Sequence, residues 1–170
     1  SLLKNWNPAF SDTNPEGYVD TAKFTYKYKD SKYPVIDMDS IDKYINVAYQ
    51  NGMKMRFHVF VWHKQTPQWF FKENFRKNGA YVSKEVMDGR LEYLVRNVMT
   101  HIYSYKNSDG VYVGREVIDN WDMANEYTHN NDGGEKSYWD EVYYPDYEYS
   151  EKKHSGIYTP VYIKEAFAIG

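Results

Sequence analysis

The chain has 170 residues, with 21 basic and 24 acidic side chains and a net charge of −3. That balance supplies neither the basic face that DNA or RNA needs nor a polybasic membrane anchor. Cysteine is absent, which excludes disulfides, Cys-ligated zinc and thiol catalysis, and no apolar run approaches the ~18 residues of a membrane helix.

Residues 1–35 read as a long polar excursion. Asn7-Pro8, Asn14-Pro15 and Glu16-Gly17 are turn signals. Val19 to Tyr28 alternates weakly and suggests a strand or hairpin arm. Asp12, Asn14, Glu16 and Gly17 imitate the start of a calcium loop, but Lys23 stands where a bidentate Glu is needed. From 40 to 51, Ile41, Tyr44, Ile45, Ala48 and Tyr49 fall at helical spacing. Asp39 or Ser40 caps that helix, and Asn51-Gly52 ends it. Met53 to Trp62 is a short, nearly continuous apolar run, as a strand buried on both faces requires.

Residues 84–105 form a second helix. Its apolar stripe is Met87, Leu91, Leu94, Val95, Val98 and Ile102, with Asp88, Glu92 and Arg96 off it. Asn107 to Gly110 is a turn, and Val117 to Ala124 is a second buried strand. Asn130 to Gly134 is a loop, and 137–158 is a Tyr-rich irregular region. Thr159-Pro160 starts a last helix, with Pro in its first turn. The order helix, strand, helix, strand, helix is that of an α/β fold with a parallel sheet.

The residues that carry chemistry follow the two strands. Period 2 puts His58, Phe60 and Trp62 on one face of the first, and Phe57, Val59 and Val61 on the other. His63, Gln65, Thr66-Pro67 and Trp69 come next, at the carboxyl end of a parallel strand, where α/β folds bind ligands. His58 and His63 fall on opposite faces, which argues against a metal site. The second strand ends in Asn125-Glu126. A Glu there is costly unless it is used or paired. Many of the 19 Tyr suit a surface that meets sugars, where a ring stacks on C–H groups while its hydroxyl hydrogen-bonds. A Tyr-rich, AT-rich genome accounts for the same count.

Arg56-Phe57-His58 followed by Trp62-His63-Lys64-Gln65-Thr66-Pro67-Gln68-Trp69 resembles the strand-three motif of glycoside hydrolase family 10, the endo-β-1,4-xylanases. Trp121-Asp122-Met123-Ala124-Asn125-Glu126 resembles that family's strand-four acid/base motif. Asp132-Gly133, Ser137, Trp139 and the closing Tyr162-Ile163-Lys164-Glu165-Ala166-Phe167 match in order, so the resemblance spans roughly residues 36–168. It implies a (β/α)₈ barrel and retaining hydrolysis of xylan. Glu126 matches the general acid/base and Asn125 the residue that bonds the sugar 2-hydroxyl. His58, Trp62 and Gln65 match glycone-side binding residues, and His63 a position behind them that orients the acid/base region. The implied mechanism uses no metal or organic cofactor. Glu126 would start protonated, its pKa raised by an ionised second carboxylate.

The resemblance also has gaps. The family's nucleophile matches nothing in this chain; Glu135, Glu141 and Glu165 sit in loop or helix contexts. The Glu, Asn and Lys motif of strand two would precede Ser1, and the later His and Trp positions are absent too. A (β/α)₈ barrel takes ~250 residues, so residues 1–170 are expected to be part of one catalytic domain. They would hold about strands three and four with their helices, with 1–35 as a loop insertion. Phe57 stands where the family usually has Gly, its side chain expected outward against helices. The implied partners are xylan or xylo-oligosaccharide and the remainder of the same barrel, with no nucleic acid and no membrane insertion. A polymeric substrate implies an extracellular or cell-surface location, and the absence of Cys fits a bacterial secreted protein. The 170 residues alone are expected to be inactive; a non-catalytic carbohydrate-binding or assembly role is the alternative.

Overall fold

A computed structural model describes residues 2–3, 9–127, 136–146 and 160–170. The Asp132-Gly133 turn, Glu135 and most of the Tyr-rich region lie outside them. The described elements are β1 (Phe10–Ser11), β2 (Tyr33–Pro34), α1 (Met38–Gln50), β3 (Met55–Val61), α2 (Lys84–Ser104), α3 (Val113–Val117), β4 (Ile118–Ala124), α4 (Tyr138–Tyr143) and α5 (Val161–Ile169), with short 3-10 turns between some of them. β1 pairs antiparallel with β2, and β3 pairs parallel with β4, so the fold is α/β.

Helix α1 begins two residues earlier than the spacing suggested, with Asp37 at its N-cap position. It buries Ile41, Ile45 and Ala48, whereas Tyr44 is 68% exposed. Gly52 ends the helix at φ 63°, a left-handed conformation that suits a residue without Cβ. In α2 the whole expected stripe is buried, but so are Asp88, Arg90, Glu92 and Asn97. Periodicity identified the apolar face and could not show that the polar face is covered as well.

Part of that cover is the amino-terminal excursion. Thr25 N and Tyr26 N donate to the two carboxylate oxygens of Glu92, at 2.8 and 2.6 Å. Val19 N donates to Asn97 Oδ1 at 2.6 Å. The expected strand over 19–28 does not form, because these amides bond to α2 rather than to a neighbouring strand. Asp20 caps a 3-10 turn, Thr21–Lys23, in its place. At Gly89 a Cβ would sit 2.7 Å from the Lys27 carbonyl oxygen, so the close approach of excursion and helix requires glycine here.

Four further expectations change. Of β3 only Phe60 and Val61 are buried, and of β4 only Ile118 and Met123. Among the described residues each strand has a single partner, so neither is sandwiched as a run buried on both faces would be. The β3–β4 register shifts between His58 and Val61. Strict alternation therefore fails: Phe60 packs with Phe57, ring centroids 4.7 Å apart, and both contact Trp121. Residues 138–143, expected to be irregular, form α4, where Ser137 Oγ accepts from Asp140 N at 3.1 Å. Finally, α5 starts after Pro160, which precedes the first turn rather than lying in it.

Rings join the elements into one core. Trp139 on α4 is 1% exposed. It stacks on Tyr162 of α5 at 5.4 Å and meets the edge of Phe71 at 5.0 Å. Polar groups lie beside the rings. Tyr143 donates to Asp88 Oδ1 at 2.6 Å, and Tyr162 donates to Asp140 Oδ1 at 3.0 Å. The Lys84 ammonium bridges Asp88 and Glu165 at 3.1 and 3.0 Å.

Candidate active site

The parallel register places the carboxyl ends of β3 and β4 side by side, pairing Val61 with Ala124. One residue beyond, Asn125 N donates to Val61 O at 2.9 Å. That bond extends the ladder and delivers Glu126 next to Trp62. The Trp62 indole Nε1–H donates to Glu126 Oε2 at 3.1 Å, which orients an exposed carboxylate. Glu126 has φ 47° and Gln65 φ 65°. Both are non-glycine residues in the left-handed region, where strain gathers at functional sites.

The Trp62 backbone is anchored from the other side. Trp139 Nε1 donates to Trp62 O at 3.0 Å, so buried α4 holds the residue that holds Glu126. The His63 ring stands edge-on to Trp62, at 5.9 Å and 79°. The His58 ring lies 6.1 Å from Trp62.

A second polar group precedes these residues on the strands. Asp122 is the register partner of His58. Its Oδ1 accepts from Arg56 Nε at 2.7 Å, and its Oδ2 lies 3.0 Å from His58 Nδ1. The Arg56 hydrogen bond, and after it that of His58, hold the Asp122 carboxyl below the usual carboxylate range. Neither Asp122 nor Arg56 was assigned a role from the sequence. The available signal was period 2, which puts Arg56 beside His58 and Asp122 on the face of Ala124 and Glu126.

A cleft of about 660 Å³ runs between β3 and α1. His58, Trp62 and Gln65 line it together with Ile41, Ile45 and Leu94, whereas Glu126 and Asn125 do not. The cleft follows the open edge of β3, so its position reflects that edge rather than the carboxylate. Of the predicted residues, the structure joins Trp62 to Glu126 directly and places Asn125, His58 and His63 around them. Gln65 lies on the exposed turn beyond β3.

Two parallel strand ends, a carboxylate held by an indole and rings around it together make the candidate site on this α/β scaffold. The sequence profile described as Glycosyl hydrolase family 10 matches residues 21–166, and the chain belongs to that family. It is 40% identical over 141 residues to endo-1,4-beta-xylanase A of Butyrivibrio fibrisolvens, covering 82% of this chain and 29% of that protein. Against the bifunctional endo-1,4-beta-xylanase XylA of Ruminococcus flavefaciens it is 46% identical over 99 residues, covering 55% of this chain and 10% of that protein. The chain thus spans less than a third of the length of either relative.

Among solved structures, the CBM22-1–GH10 modules of Clostridium thermocellum endo-1,4-beta-D-xylanase 10B, complexed with xylohexaose, align with a TM-score of 0.57 at 24% identity. The alignment covers 92% of this chain and 28% of that one. That likeness shows the fold. The family is built on a (β/α)₈ barrel, and the described residues form an α/β part of it without closing it. None of their helices is long and apolar enough to cross a membrane.

Proposed function

We propose that this chain is the acid/base-bearing part of an endo-β-1,4-xylanase barrel, about strands three and four with their helices. The observation that carries the reading is the 3.1 Å bond from Trp62 Nε1 to Glu126 Oε2. It ties together the two motifs, 64 residues apart in the chain, at neighbouring parallel strand ends. The named xylanase relatives support the same reading.

In retaining hydrolysis, protonated Glu126 gives its proton to the glycosidic oxygen as the bond to the leaving sugar breaks. A second carboxylate, ~5–5.5 Å away, attacks the anomeric carbon and forms a glycosyl–enzyme. Glu126, now ionised, takes a proton from water, which displaces the enzyme carboxylate and restores the configuration. No residue of this chain matches that nucleophile, so the remainder of the barrel supplies it. Asn125 bonds the sugar 2-hydroxyl; His58, Trp62 and Gln65 hold the glycone side. His63 orients the acid/base region from behind. The substrate is xylan or a xylo-oligosaccharide. A polymer that cannot enter a cell places the enzyme outside it or on its surface. Residues 1–35 are a loop insertion, and the 170 residues alone do not turn over substrate.

The test is Glu126→Ala in the full-length protein that carries this chain, assayed on native xylan. Loss of general acid catalysis lowers kcat by at least about 10²-fold. A substrate with a good leaving group would mask the loss. Activity within a few-fold of wild type overturns the assignment. If the wild-type protein binds xylohexaose by calorimetry yet releases no reducing ends, the chain belongs to a non-catalytic sugar-binding protein instead.

A further inference from the structure

The turn that follows the candidate sugar-binding residues is held by one buried arginine. Arg90 on α2 is 1% exposed. Its NH1 donates to Phe70 O at 2.6 Å and to Lys72 O at 3.0 Å. Both carbonyls belong to the 3-10 turn Gln68–Phe71 and the residue capping its end. This turn begins three residues after Gln65. The guanidinium lies over the Phe75 ring at 3.9 Å.

What keeps Arg90 in that pose comes from the amino-terminal excursion. Asp30 accepts from Arg90 Nε at 2.7 Å and from NH2 at 2.6 Å. This is a bidentate fork with Asp30 only 11% exposed, so both planar groups are fixed in orientation. A second contact from the excursion reaches the same turn. Phe10 stacks on Phe75 at 5.1 Å and meets Trp69 edge-on at 5.4 Å. The four hydrogen bonds of Arg90 therefore go either to Asp30 or to the turn that Trp62 and Gln65 lead into.

We propose that the amino-terminal excursion is a brace for the substrate-binding turn of β3, with Asp30 as a positioning residue acting through Arg90 on the Phe70 and Lys72 carbonyls. The proposal rests on the reading that Trp62 and Gln65 hold a xylo-oligosaccharide. Asp30 touches no substrate. Its carboxylate fixes the guanidinium, the guanidinium fixes the turn, and the turn fixes where Gln65 stands. Loosening that chain of contacts weakens ground-state and transition-state binding alike, while Trp62, anchored by Trp139 on α4, stays in place and keeps its bond to Glu126. The signature is a raised KM with little change in kcat.

The experiment uses the full-length protein with xylohexaose as substrate. Asp30→Asn keeps the shape and removes the charge; KM is expected to rise about three- to tenfold with kcat within about twofold. Asp30→Glu, which can still form the fork, recovers most of the loss. Because Asp30→Asn leaves Arg90 buried beside a neutral partner, it risks failing to fold. Phe10→Ala creates no such defect and is expected to raise KM about two- to threefold in the same direction. If the folded variants lose thermal stability but keep the wild-type KM, the excursion only stabilises the domain and the proposal is overturned. A second readout needs no xylan: amide hydrogen exchange across residues 68–76, expected to be faster in Asp30→Asn or Phe10→Ala. If wild type shows no turnover of xylohexaose, the xylanase reading has failed. Exchange then decides the brace alone, and unchanged exchange there refutes it.

Discussion

Glu165 on α5 offers the sharpest test of the buried polar cluster. Its Oε1 accepts from Lys84 on α2, and the same ammonium bonds Asp88. Tyr143 on α4 completes the group by donating to Asp88. Burial, and next the hydrogen bond with Asp88, push the Glu165 carboxyl from 4.5 up to about 7. The unfolded chain releases this proton near 4.5, whereas the folded chain keeps it until about 7. Between those values the folded state binds more protons, so stability falls as pH rises. Over that window the linkage amounts to about 3 kcal/mol. Lys84 is 40% exposed, and solvent reaching the cluster through it trims the effect to about 2 kcal/mol.

Glu165→Gln removes the titration and keeps the size, and its amide can donate to Asp88 as the protonated acid does. Urea unfolding of the full-length protein at pH 5, 6, 7 and 8 reads the effect. Wild type should match or exceed the variant at pH 5 and fall behind it by about 2 kcal/mol at pH 8. Parallel curves for the two proteins across this range would refute the reasoning. So would a wild type that gains on the variant as pH rises.

Two further substitutions test the packing. At Gly114 on α3, a Cβ would run into the Ile102 carbonyl oxygen and lie 2.9 Å from its carbon. Both atoms are backbone, so Gly114→Ala forces α3 off α2 and should cost more than about 3 kcal/mol in denaturant unfolding; a cost under about 1 kcal/mol would contradict the close approach. Trp139→Phe removes the donor to Trp62 O and leaves a void beside Tyr162. It should destabilise by about 2–3 kcal/mol in the same assay. Because Trp62 carries the bond to Glu126, xylan turnover should fall more than the fraction unfolded explains; turnover that tracks the folded fraction alone would rule out that link.

The regular elements were legible because their signals are local. Ile41, Ile45 and Ala48 mark α1 by spacing, and the stripe from Met87 to Ile102 marks α2. The runs ending at Trp62 and Ala124 mark β3 and β4. Trp62, Asn125 and Glu126 stood out as candidate site residues because their motifs are contiguous, and the parallel register brings the two motifs together. Contacts between distant segments left no comparable trace. Glu92 and Arg90 look like solvated helix positions until Thr25, Tyr26 and Asp30 arrive to meet them. Helix α4 hid behind its tyrosines, although Ser137 followed three residues later by Asp140 is a capping signal that was there to be read. Phe60 changed face because a ladder irregularity between His58 and Val61 breaks the period of two, and nothing in the side-chain pattern announces such a break.

The backbone at residue 126 has one more consequence. With φ 47°, this position would suit glycine or asparagine better than glutamate, by about 1 kcal/mol. Exchanging Glu126 for glycine should therefore yield a sturdier protein and, on the role proposed for Glu126, one with no acid to offer the glycosidic bond. Folding stability and the proposed catalysis would then pull this one site in opposite directions. In a lineage released from selection for sugar cleavage, position 126 would be among the first to drift, and glycine or asparagine there would mark a descendant that has kept the scaffold and abandoned the reaction.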